Sequence, residues 1–89
     1  MLEHEPEQMT PQLAQLCEAG GMWEEAATAW SHLGRPARAR HAWTQAATGY
    51  QRRWDLPEAA RCFELAGDPD RASAVRVQDA ELRRGGAIR

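Results

Sequence analysis

Apolar residues recur at intervals of three and four along most of the chain, separated by polar positions. This is the spacing of helices buried along one side. Leu13, Leu16 and Cys17 form one such stripe, and Ala26, Trp30 and Leu33 a second. The third joins Ala39, Trp43, Ala46, Ala47 and Tyr50, the fourth Ala59 and Phe63, and a thin fifth Ala72 and Val75 with Ala80 and Leu82 beyond. Helix-start and helix-stop residues fall between the stripes. Thr10-Pro11 opens the first, Gly20-Gly21 closes it, and Met22 or Trp23 opens the second with Glu24 and Glu25 at the positive end of its dipole. Gly34 and Pro36 separate the second helix from a third over about 36–53, and a break at Arg53–Leu56 precedes a fourth over about 57–66. Gly67 and Pro69 then lead into a fifth that ends at Gly85-Gly86. Gly49 weakens the third by roughly 1 kcal/mol relative to Ala and predicts a bend. The expectation is an all-α protein of about five antiparallel helices.

The pattern also repeats. A shift of 33 residues lays Glu25-Ala26-Ala27 on Glu58-Ala59-Ala60, Trp30 on Phe63, Gly34 on Gly67, Pro36 on Pro69, and Arg38-Ala39 on Arg71-Ala72. Upstream it lays Ala14 on Ala47 and Cys17 on Tyr50. A shorter echo repeats a glycine, then an alanine, then a tryptophan: Gly21, Ala26, Trp30 and again Gly34, Ala39, Trp43. The alanine lets a neighbouring helix approach, and the bulky residue four positions on fills the space beside it.

The order Trp43, Ala46-Ala47, Tyr50, then Ala59 and Phe63, resembles the tetratricopeptide repeat, a helical hairpin of about 34 residues. The second unit, about 40–73, carries the resemblance best. It departs in having Ala46 where the family prefers Leu and Ala47 where it prefers Gly. The first unit, about 7–40, has Thr10 and Cys17 where the family has Trp and Tyr. The resemblance implies a right-handed α-solenoid of two hairpins and a C-terminal capping helix. It divides the chain into a flexible acidic lead-in at 1–9, the helical domain at 10–84 and a disordered end at 85–89. It also implies a concave groove lined by the first helix of each unit, with Gln15, Glu18, His41, Thr44, Thr48, Gln51, Arg52 and, from the cap, Val77, Glu81 and Arg84. Trp54 stands where the family turns on a glycine.

Composition narrows the function. The chain has 89 residues, a net charge of −2 and 27% charged residues, as in an ordinary soluble domain near the lower limit for one core. Much of its apolar content is alanine, so the four Trp are expected to dominate burial. Charge alternates by segment: residues 1–34 hold six Glu and no Arg, and residues 35–54 five Arg and no acid. Neighbouring helices thus support one another weakly, or opposite ends attract a second copy. With no overall basic excess, nucleic acid and membranes are not the default partners, and without a leader or a long apolar run the expected location is cytoplasmic. Cys17 and Cys62 read as small core residues.

No nucleophile elbow, phosphate loop, nucleotide fingerprint or metal-ligand spacing is present. His4, His32 and His41 have no partners at ligand spacing. All eleven cationic side chains are Arg, and the chain lacks Lys and Asn, a bias of the kind GC-rich coding produces. The family's grip on a terminal carboxylate uses Lys and Asn, so here Arg52 and Arg84 would take an acidic or C-terminal segment. The expected function is a non-catalytic adaptor, with no cofactor or metal, that binds a protein or peptide through the groove, through Trp54, or both. Two alternatives stand beside it: a self-associating building block, and nucleic-acid binding through the Arg35–Arg40 and Arg52–Arg53 face.

Overall fold

The computed structural model describes residues 10–88, with side chains through residue 85. Over that range the chain is all-α: α1 (Pro11–Ala19), α2 (Trp23–His32), α3 (Pro36–Arg52), α4 (Leu56–Leu65) and α5 (Pro69–Ile88). Short local signals set the helix ends. The Thr10 side chain accepts the Leu13 N–H at 3.2 Å, and Pro11, Pro36 and Pro57 lie in first turns, where a missing N–H costs nothing. Asp68 accepts the Arg71 N–H at the start of α5.

The first four helices end in the same turn. In each, the last residue before the next helix's N-cap turns left-handed: Gly21, Gly34, Trp54 and Gly67, with φ from +63° to +77°. Their N–H groups donate to Glu18, Ser31, Gln51 and Glu64, and the following N–H groups reach back to Cys17, Trp30, Tyr50 and Phe63. All eight bonds lie between 2.8 and 3.0 Å. This double closure satisfies carbonyls that a helix end leaves open.

Each helix packs chiefly on the helices before and after it. Two cores result. The first holds Ala14, Ala26, Ala27, Ala29, Trp30, Ala39 and Ala42. The second holds Ala47, Ala59, Ala60, Cys62, Phe63, Ala72 and Val75, together with Ala46 and Leu56. Adding 33 to each member of the first set gives a member of the second, in order. The repeat seen in the sequence is therefore a repeat of burial. Trp23 and Trp43 pack against both cores and join them. The largest fully buried side chains are Trp30, Phe63 and Leu56. At roughly 150–250 Å² per aromatic, Trp30 and Phe63 outweigh the alanines around them.

Three expectations change. Leu13 and Leu16 are 42% and 66% exposed, and α1 faces α2 with Ala14 and Cys17 instead. Their counterparts on α3, Ala46 and Gly49, border the start of α2. No helix among the described residues precedes α1 to cover the matching face. Leu56, assigned by sequence to a break, is the first residue of α4 and is 2% exposed. It takes the place in the second core that Trp23 takes in the first. Finally, α5 continues through Gly85-Gly86 to Ile88, past the stop expected at the two glycines. A glycine stops a helix when the chain turns left-handed there; Gly85 and Gly86 do not. The acidic lead-in at 1–9, with His4, lies outside the described residues, as does Arg89.

Candidate functional site

The residues expected to line a groove divide into those already engaged and those open. Glu18 is engaged. One carboxylate oxygen accepts the indole N–H of buried Trp30 at 2.8 Å, and the other faces Arg38 at 3.4 Å. The Arg38 guanidinium lies 4.2 Å over the Trp30 ring, and one unit later Arg71 lies 5.6 Å over Phe63. The repeated arginine thus roofs the repeated aromatic. The Thr48 hydroxyl donates to the Thr44 carbonyl at 2.9 Å, so it is partly taken up by its own helix. His41 meets Trp23 edge-on, with ring centroids 5.9 Å apart.

Gln15 is exposed on α1, Thr44 and Gln51 are half-buried on α3, and Arg84 is exposed on α5 with Val77 and Glu81. His41, Thr44, Thr48 and Gln51 follow spacings of three, four and three, which puts them on one face of α3. The basic residues of α3 do not form one patch. Arg35 and Arg40 sit in its first turns and Arg52 and Arg53 at its end, between about 18 and 27 Å away along the helix.

Trp54 is 65% exposed. Its left-handed backbone costs a non-glycine residue roughly 1–2 kcal/mol, and it occupies, 33 residues on, the place of Gly21. Arg52 and Arg53 precede it on the surface, and the Arg53 guanidinium lies 4.9 Å over the Tyr50 ring.

A cleft of about 480 Å³ opens between the start of α2 and the end of α3, lined among others by Trp23, Glu25, Gln45, Gly49, Tyr50 and Arg53. Gly49 keeps this space open, having nothing within 4 Å of where a Cβ would stand. Beside the cleft lies a polar network that sequence reasoning missed. Tyr50 donates its hydroxyl to Glu24, and Arg61 joins Glu24 at 3.2 Å and Glu58 at 2.8 Å, tying α2, α3 and α4 together. The Tyr50 bond, then the Arg61 guanidinium, holds the Glu24 carboxyl below its ordinary value against the opposing effect of burial. The same carboxylate, with burial, pushes the Tyr50 hydroxyl up to about 12. Position 24 overlays Pro57, so the repeat gave no signal for a group used once, at the junction of the units.

Among the described residues, no three His, Cys, Asp or Glu side chains gather as a metal site, and no helix is long and apolar enough to cross a membrane. The fold and this surface define an all-α protein built from two related helix pairs and a fifth helix. Compared with protein-family models, with curated proteins and with solved structures, the chain finds no match in any of the three.

Proposed function

We propose that the chain is a non-catalytic protein-interaction module, a tetratricopeptide-like right-handed solenoid that presents a surface to a peptide or protein partner. The observation that carries this is the 33-residue repeat of burial, with core residues coinciding from one unit to the next. Such stacking hides each helix against its neighbours and leaves an extended face for recognition. On that face α3 offers His41, Thr44, Gln51 and Arg52, and α1 and α5 add Gln15 and Arg84. Glu18, which accepts the Trp30 indole N–H, ties its place on that face to the scaffold. The test is selection of displayed random peptides against the chain, followed by titration calorimetry. Enriched sequences with micromolar affinity support it, and a failure to enrich any sequence removes it.

The second reading, a building block that pairs with its own copy, is favoured by one observation. Leu13 and Leu16 are open where their counterparts on α3 border α2. Light scattering over a concentration series with wild type and Leu16→Glu decides it. A dimer that the substitution abolishes supports self-assembly, and a monomer throughout disposes of it.

A further inference from the structure

Four turns of one kind close α1 to α4, and three of them place glycine in the left-handed position. The fourth places Trp54 there. A bulky L side chain is disfavoured in that region because its Cβ crowds the following carbonyl. The side chain gains no packing in return: the indole is 65% exposed and joins neither core. Arg52 and Arg53 stand next to it. Among the described residues neither meets a carboxylate within ion-pair distance, whereas Arg38, Arg61, Arg71, Arg76 and Arg83 each do.

We infer that Trp54 is a docking anchor for an acidic protein segment carrying an apolar side chain, with Arg52 and Arg53 gripping its carboxylates. This rests on the interaction-module proposal and places the main contact at the α3–α4 turn instead of in the groove. Backbone strain that persists without a return in stability points to binding. An exposed indole supplies a large rigid contact, and the Arg52 and Arg53 guanidinium forks, without an ion pair among the described residues, match carboxylates in shape and charge. Glu25 shares the cleft with Arg53, and its negative charge disfavours an acidic segment inside the cleft. Nucleic acid fits less well, because the remaining exposed arginines of α3 lie at its far end.

The test selects phage-displayed random dodecapeptides against the full chain. Enriched peptides are then titrated against wild type, Trp54→Gly, Arg52→Glu and the groove variant Thr44→Arg. The expected peptides are acidic with an apolar residue. They bind Trp54→Gly at least about tenfold more weakly. They also weaken with Arg52→Glu and with added salt, and keep their affinity for Thr44→Arg. Glycine relieves the left-handed strain, so Trp54→Gly melts at or above the wild-type temperature and its loss of binding is not a loss of fold. A lower melting temperature makes the indole a structural cap and overturns the inference. Peptides lost on Thr44→Arg but kept on Trp54→Gly overturn it too, while leaving the groove proposal standing; no enrichment overturns both. Enrichment of basic peptides also counts against it. So does a wild-type dimer, or oligonucleotide binding, that Trp54→Gly abolishes, since the surface then belongs to a second copy or to nucleic acid.

Discussion

The Glu18 carboxylate accepts the indole N–H of Trp30 across the α1–α2 pair at 2.8 Å, and Trp30 is 1% exposed. One unit later the donor and acceptor are replaced together, by Phe63 and Gln51. The matching position thus carries a ring without a donor, and no acidic partner is required there.

Glu18→Ala leaves that indole N–H buried without its acceptor and is expected to cost about 1–3 kcal/mol. In a Trp30→Phe background the same substitution costs clearly less, because the donor has gone. A double-mutant cycle from urea denaturation measures the difference. Equal costs in the two backgrounds would falsify the bond as a source of stability.

The Glu24–Tyr50 bond gives the fold a pH dependence at both extremes. The Glu24 carboxyl is depressed in the folded state, so its contribution is present above the unfolded carboxylate value and is lost as pH falls through the lower folded value. Tyr50 is raised, so its contribution is full below the ordinary value of 10.0 and is lost as pH rises through about 12. Denaturation midpoints of wild type and Glu24→Gln are expected to differ most near neutral pH and to converge in acid. Ultraviolet titration should find the single tyrosine ionising well above its ordinary range in wild type, and nearer to it in Glu24→Gln.

Trp43 packs against both cores and Ala59 is fully buried in the second. Trp43→Ala is expected to cost about 3–5 kcal/mol, enough to unfold a domain of this size in both units at once. Ala59→Leu adds side chain where a helix approaches closely and is expected to cost roughly 1–3 kcal/mol. Circular dichroism melts check both. A variant that loses only half of its helix in the transition would show that the two cores fold separately.

Cys62 is buried, and Cys17 is half-buried. Burial, with the nearby Glu24 charge adding to it, pushes the Cys62 thiol up to about 11. Since the thiolate is the nucleophile, iodoacetamide is expected to label Cys17 readily in the native state and Cys62 only as the chain opens. Mass spectrometry over a time course distinguishes the two, and equal labelling rates would place Cys62 nearer the surface.

The five helices, most of their ends and the 33-residue period were legible in the residues themselves. Proline, glycine and capping threonine act on their own backbone, and the spacing of alanine and tryptophan marks a buried stripe wherever that stripe is covered. Which stripe is covered is a different matter. Leu13 and Leu16 have the spacing of core residues, but a core forms only where another helix arrives, and α2 meets α1 at Ala14 and Cys17. Leu56 sits in a polar link and gave no periodic signal, although its position overlays Trp23.

The sequence by itself determined most of the helix ends, which follow from steric preferences that reach no farther than a few residues, and it carries the 33-residue repeat in its own residue order. Only the tertiary structure decided the polar partners. Glu18 reaches Trp30 and Arg38, and Glu24 reaches Tyr50 and Arg61, across sequence separations that no local preference specifies. It also decided that Trp54 turns left-handed in a glycine's place with its indole in solvent. Closing α3 back onto α4 requires a left-handed residue at that point, whichever side chain the chain supplies there.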